Sequence, residues 1–208
     1  TYVMGILNVT PDSFSDGGKW NDRDRALKHV EEMIAEGMDI VDIGGESTRL
    51  GYTLLSDEEE IARVVPMIEA VKANFDIPIS LDTYKSGVAE AGILAGADLI
   101  HLAEAAAIAD EKIILDPGVG FGKTYENNLE IINCLEELNM FGYPLLLGCS
   151  RKSVIGLTLN LPVTERVEGT LVTTMFGVQK GCMFVRVHDV KENVRTIKMC
   201  EAILNSGK

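Results

Sequence analysis

The chain lacks the features that would place it in a membrane, in an oxidising compartment or on nucleic acid. Its four cysteines, Cys134, Cys149, Cys182 and Cys200, have no CxxC spacing and are too sparse for a disulfide scaffold, so free thiols in a reducing compartment are expected. No apolar run approaches the roughly 20 residues that span a bilayer, and no basic leader with a hydrophobic centre precedes the first strand. The expectation is a soluble, cytoplasmic protein without a membrane partner. Positive charge is scarce too: 19 Lys and Arg stand against 32 Asp and Glu, a formal net charge of −13. That excludes sequence-independent nucleic-acid binding, which needs a basic surface to displace counterions from phosphates. With 46% hydrophobic residues over 208 positions, the chain can bury one sizeable core, and residues 1–208 are expected to form a single domain.

What the chain does have is a series of short β-forming runs that end in residues able to do chemistry. Val3–Asn8 leads into Thr10-Pro11-Asp12, Asp39–Gly44 into Glu46-Ser47-Thr48-Arg49, and Pro78–Leu81 into Asp82-Thr83. Ala97–Ile100 follows; then Ile113–Leu115 leads into Asp116-Pro117-Gly118, Pro144–Gly148 into Cys149-Ser150-Arg151-Lys152, and Phe184–Val187 into His188-Asp189. Segments of helical periodicity lie between them, at Arg25–Glu36, Glu58–Ala70, Lys85–Leu94, Tyr125–Leu138, Thr164–Gln179 and Val190–Leu204. Ser56 and Glu59 are spaced as a capping box for the second of these. Regular alternation implies a parallel sheet covered by helices, and the expected fold is α/β, a (β/α)8 TIM barrel, whose active sites gather at the C-terminal ends of the strands.

One interval breaks the pattern. Strand starts are mostly separated by the ~30 or more residues of a strand–helix unit, but only His101–Lys112 separates Ile100 from the next run, and His101–Ala109 reads as the end of a helix. One strand–helix unit is therefore missing near residues 100–112, deleted or not recorded, with a junction close to Ile100 and His101.

The basic residues are few but unevenly placed. Arg49, Lys123, Arg151, Lys152, Arg186 and His188 all follow or end predicted strands, which suits an anionic small molecule bound by an acidic protein. Asp116–Thr124 is glycine-rich but fits neither phosphate-loop pattern: a Walker A loop ending at Lys123-Thr124 needs glycine at Pro117, and a dinucleotide fingerprint starting at Gly118 needs it at Lys123. A tight turn with close backbone approach to a ligand is the alternative. Asp82 and Asp116 suit a heterocycle with adjacent N–H donors, such as a 2-amino-pyrimidinone edge, or else a structural salt bridge or strand-end cap. Arg186 and His188 alternate onto one side of the last strand, an anion clamp that with Asn8 could hold a phosphate and a bound Mg²⁺.

Met4–Gly18 closely resembles a signature of the dihydropteroate synthase family, and Asp42–Arg49 resembles its second signature. Leu115–Lys123, Cys149–Gly156 and Phe184–Val190 match further blocks in order. The resemblance implies condensation of p-aminobenzoate with 6-hydroxymethyl-7,8-dihydropterin pyrophosphate, with loss of pyrophosphate, to give 7,8-dihydropteroate for folate synthesis. It implies that Asp82, Asp116 and Lys152 hold the pterin ring with Arg186 stacked beside it, and that Asn8, Arg186 and His188 handle the diphosphate and Mg²⁺, Asn8 being the metal ligand. Phe14, Thr48, Phe121, Lys152 and Ser153 would meet p-aminobenzoate, Arg49 would add to substrate binding, and Asp16 would stabilise a cationic intermediate. A homodimer through Leu171–Val178 and Val194–Leu204 is also implied. Two departures stand out: Leu50 occupies the place of a proline in the second signature, which implies a looser loop, and the family's Asn-Asp pair after the fourth strand and Met-His segment of the fifth are absent.

Overall fold

The computed structural model describes residues 1–9, 19–46, 55–101 and 113–207. It contains six strands and seven α-helices among these: β1 (Tyr2–Asn8), α1 (Lys19–Glu36), β2 (Ile40–Gly44), α2 (Asp57–Asn74), β3 (Ile79–Asp82), α3 (Ser86–Ala95), β4 (Leu99–His101), α4 (Tyr125–Asn133), β5 (Leu146–Leu147), α5 (Ser153–Leu159), α6 (Val167–Gln179), β6 (Phe184–Val187) and α7 (Val190–Leu204). They fall into two compact units, Gly5–Ala106 and Thr1–Met4 with Ala107–Lys208.

In the first unit the strands run in the order β4-β3-β2-β1. β2 pairs with β3 in parallel, Gly44 opposite Asp82, and β3 pairs with β4, Asp82 opposite His101. All five residues of β2 and the first three of β3 are buried, as expected where helices cover a parallel sheet and both faces of a strand are out of water. Val64, Ile68 and Val71 of α2 supply part of this core with Ile43, Ile79 and Leu81. α2 begins where the sequence indicated: Ser56 Oγ accepts from Glu59 N–H at 3.2 Å and Glu59 Oε2 accepts from Ser56 N–H at 3.0 Å, closing the capping box.

In the second unit β6 pairs with β5, Leu146 opposite Phe184, and Tyr2 N–H donates to Met183 O at 2.8 Å. α6 and α7 are pinned to each other by a buried Thr174–Asn193 hydrogen bond of 2.7 Å. Gly177 lets α6 approach β5, since a Cβ there would stand 2.9 Å from Leu147 Cδ2.

Several expected boundaries shift for local reasons. The run Ile113–Leu115 is reduced to one parallel bridge, Leu115 to Leu145, and all three residues are only half-buried. His101 is the last residue of β4 and not part of a helix; 102–112 lie outside the described residues. The helix expected over Tyr125–Leu138 stops at Cys134, whose N–H is shared between Glu130 O and Ile131 O at 2.9 and 3.3 Å, and the chain continues as the tighter 3-10 turn Leu135–Phe141. α6 likewise starts later than Thr164, after a 3-10 turn at Val163–Glu165.

Candidate active site

Three catalytic candidates and one carboxylate converge in the unit that holds β5 and β6. Gly148 follows β5, and a Cβ placed on it would stand 3.4 Å from Arg186 Nε and 3.6 Å from Asp116 Oδ2. The carboxylate and the guanidinium therefore flank a strand end that contributes only backbone. Arg186 is 7% exposed, although it carries a permanent charge.

Asp116 is shaped by the turn it begins. Its Oδ1 accepts from Gly118 N–H at 2.8 Å, an Asx turn, and Gly118, Gly120 and Gly122 then take φ of 66°, 85° and 60°, a left-handed sequence that favours glycine. Lys123 does not project toward a ligand; its Nζ donates to Gly118 O at 2.9 Å and Phe121 O at 3.3 Å, closing the turn on itself. Asn128, buried on α4, holds the turn from outside by accepting from Gly120 N–H at 2.6 Å. The turn in turn receives Lys152: its Nζ donates to Val119 O and sits 4.2 Å from the Phe121 ring centroid, a cation–π contact. The glycine-rich stretch is thus a cradle for a lysine.

The next strand end adds His188. Ser150 Oγ accepts from His188 N–H at 3.1 Å and lies 3.0 Å from its Nδ1. Ser150 thereby fixes the orientation of the His188 ring on the Nδ1 side. Arg151 is not a ligand-facing cation: it forms a fork with the Asp189 carboxylate, Nε to Oδ2 at 2.9 Å, and that hydrogen bond raises its already high pKa against the opposing effect of burial. Arg166, absent from the sequence reading, donates to Arg151 O at 3.0 Å and to Leu161 O at 2.9 Å, bracketing α5 and so the exposed Ser153 at its start. Cys149 is buried, and burial pushes its thiol pKa up despite a hydrogen bond to Thr173; it is a neutral filler and not a nucleophile.

The other unit repeats the arrangement with different residues. β2 ends at Gly44, and a Cβ there would stand 3.7 Å from Asn8 Oδ1 and 3.9 Å from Asp82 Cβ. Asn8 and Asp82, each half-buried, thus flank a second strand end made of backbone. Val9 N–H donates to Gly44 O at 2.9 Å and fixes the end of β1 beside it. Phe14, Asp16, Thr48 and Arg49, with Leu50, lie outside the described residues. Among the described residues no group of three or more His, Cys, Asp or Glu is placed to hold a metal ion, and no helix is long and apolar enough to cross a membrane. The four cysteines are unpaired.

A family model described as "Pterin binding enzyme" matches residues 4–101 and, separately, 99–188. A dihydropteroate synthase of Clostridium beijerinckii is 52% identical over 254 residues, covering 98% of this chain and 94% of that protein. One of Bacillus subtilis is 44% identical over 256 residues, covering 100% and 90%. Among solved structures, a Clostridium difficile dihydropteroate synthase in the presence of pteroic acid has a TM-score of 0.92 at 41% identity, covering 98% of this chain and 96% of that one. The Yersinia pestis enzyme with a sulfonamide drug complex has a TM-score of 0.90 at 37% identity, covering 99% and 94%. Both curated alignments are longer than the 208 residues of this chain, and the two family matches meet at residues 99–101. The relatives therefore carry residues that have no counterpart in this chain, and the break between the two family matches falls at the junction expected from strand spacing.

Proposed function

The chain belongs to the pterin-binding enzymes and, within them, to the dihydropteroate synthases, and from that premise we propose how its own residues divide the work. The reaction is a transferase step of folate biosynthesis: the amine of p-aminobenzoate bonds to the methylene carbon of 6-hydroxymethyl-7,8-dihydropterin pyrophosphate, the carbon–oxygen bond to pyrophosphate breaks, and the amine loses a proton. The fold is of the (β/α)8 class, short of one strand–helix unit.

Asp116 and Asp82 accept from the N–H donors of the pterin edge, Lys152 donates to its carbonyl side, and Arg186 stacks on the ring. The support is that Asp116 and Arg186 both border Gly148 and that Lys152 is already held by the neighbouring turn. Arg186 and His188 receive the departing pyrophosphate, where fixed cationic and N–H donors count most as charge develops. Phe14, Thr48, Phe121, Lys152 and Ser153 serve p-aminobenzoate, Arg49 adds to substrate binding, and Asp16 faces the cationic pterin methylene. Mg²⁺, when bound, neutralises charge on the leaving group. A single amide oxygen from Asn8 fits an ion shared with substrate phosphates, the usual way in which Mg²⁺ is held, and not a cage made by protein alone. Exposed Val172 and Met175 on α6 and Met199 and Ile203 on α7 support a homodimer, and the unpaired cysteines fit the cytoplasm.

The observation that carries the assignment is 52% identity across 98% of the chain. It is tested by pyrophosphate release from the pterin pyrophosphate in the presence of Mg²⁺. Release that depends on p-aminobenzoate, with dihydropteroate formed in equal amount, is expected; no product from folded protein would reject the assignment.

The glycine-floored strand ends offer a separate check on the pterin site. Neither Gly44 nor Gly148 has a positive φ, and an added Cβ would make only ordinary contacts of 3.4 Å or more. Gly148→Ala and Gly44→Ala should therefore melt within a few degrees of wild type yet raise the KM for pterin pyrophosphate roughly tenfold, because the methyl fills ligand space. Unchanged KM values in both would remove these strand ends from the site.

A further inference from the structure

The turn between β5 and α5 and the start of α7 each carry a local cost that the reaction as divided above does not explain. Lys152 N–H donates to Cys149 O at 3.2 Å, which makes Arg151 the third residue of a β-turn, and its φ is 57°. A positive φ at that place favours glycine, and a long side chain there is strained. Asp189 is the N-cap residue of α7, yet its side chain makes no cap hydrogen bond, although aspartate is among the residues best suited to capping. Both residues are committed to each other instead. Arg151 Nε donates to Asp189 Oδ2 at 2.9 Å and its Nη2 donates to Oδ1, a partly buried fork. The backbone of Arg151 is tied down as well: its N–H donates to Thr170 Oγ1 at 3.1 Å, and its carbonyl accepts from Arg166 Nη1 at 3.0 Å.

The fork does not stand alone. Ser150 Oγ accepts from His188 N–H and lies beside Nδ1 of the same residue, so two successive residues of one turn grip two successive residues after β6. Both ties join residues 38 apart, the same separation as in the ladder pairs Leu146–Phe184 and Leu147–Val185. Side chains thus carry the register of the parallel sheet past the point where its backbone pairing ends. Lys152 follows Arg151 directly, and its Nζ reaches Val119 O in the turn that Asp116 begins; His188 directly precedes Asp189. We propose that Arg151 and Asp189 are positioning residues that act through His188, holding it at a fixed distance from Lys152 so that the pterin and its departing pyrophosphate meet both. The inference rests on the reading of Lys152 and His188 as substrate contacts. A pair kept for stability alone would be replaceable by residues that relieve the two local costs.

The test uses such residues. Arg151→Gly suits the positive φ, and Asp189→Ser supplies the missing cap while being too short for the fork. Each variant is expected to melt within about 5 °C of wild type and yet to lower kcat roughly 10–100-fold, the scale of loss when a reacting group is misplaced. In a His188→Ala background the same two changes should lower kcat by less than about threefold, since the residue through which they act is gone. A kcat within about twofold of wild type in either folded variant, an equal loss in both backgrounds, or loss of the fold in both variants would overturn the proposal. The reading beneath it fails separately: His188→Ala with wild-type kcat would reject His188 as a leaving-group contact, whereas a large loss in His188→Ala beside active Arg151 and Asp189 variants rejects only the fork.

Discussion

Asp116→Asn is expected to lower kcat/KM for the pterin pyrophosphate by roughly 10²–10³-fold, the loss produced by exchanging a charged acceptor for a donor in a desolvated site. The choice of asparagine matters. Asp116 Oδ1 accepts from Gly118 N–H, and the amide oxygen of asparagine does the same, so the turn that cradles Lys152 survives. The change is confined to the second oxygen, which lies on the Gly148 side next to Arg186. There an NH₂ group would replace an acceptor and face the N–H donors of the pterin. Buried Arg186 would also keep its charge with one carboxylate fewer beside it, a cost in the same direction. Steady-state kinetics at varied pterin pyrophosphate, with a melting temperature recorded in parallel, decide the matter: a kcat/KM within about fivefold of wild type would remove Asp116 from the pterin site.

The second large effect concerns stability. Inserting one strand–helix unit between Ile100 and Lys112 should raise the melting temperature by roughly 10 °C. β4 has three residues and a described neighbour on one side only, β3. Its Leu99 and Ile100 are half-buried, where β2 is fully buried. On α3, Ile93 is 57% and Leu94 83% exposed. Covering two such side chains is worth about 3 kcal/mol or more, and in a chain of this size each kcal/mol moves the midpoint by roughly 2–4 °C. The amide protons of Leu99, Ile100 and His101 should exchange more slowly in the extended protein. An unchanged midpoint with unchanged exchange would mean that this edge is covered in some other way.

How legible the structure was in the sequence depended on the range of the interaction. β6 and α7 have the boundaries that periodicity indicated, Phe184–Val187 and Val190–Leu204, because a strongly patterned segment declares itself locally. Ile113–Leu115 has equally good β-forming residues but makes only one bridge, since strand pairing needs a neighbour and composition cannot supply one. The strand-end rule singled out Asp82, Asp116, Lys152, Arg186 and His188 as candidates, and the long signatures identified the family. Neither could show that Arg151 is engaged by a structural partner, because Asp189 lies 38 residues away, or that Lys123 closes its own turn, because that depends on the left-handed glycines around it. The buried ion cluster of Lys85 with Glu46 and Glu60 was invisible because of its range. Its carboxylates lie 39 and 25 residues away, and charged residues at such separations look like solvated surface until the fold brings them together.

The two strand ends without side chains bear on how this enzyme can change under selection. Where a binding surface is made of side chains, a mutation can trim an atom and discard a competitor while the natural substrate keeps its other contacts. At Gly44 and Gly148 there is nothing to trim, and every substitution adds atoms. With the pterin seated as proposed, added bulk meets that of the substrate as surely as that of an analogue, so escape from a pterin mimic by change at these positions carries the same handicap for growth. Inhibitors that rest on these two stretches of main chain exploit a part of the site that heredity can fill but cannot reshape.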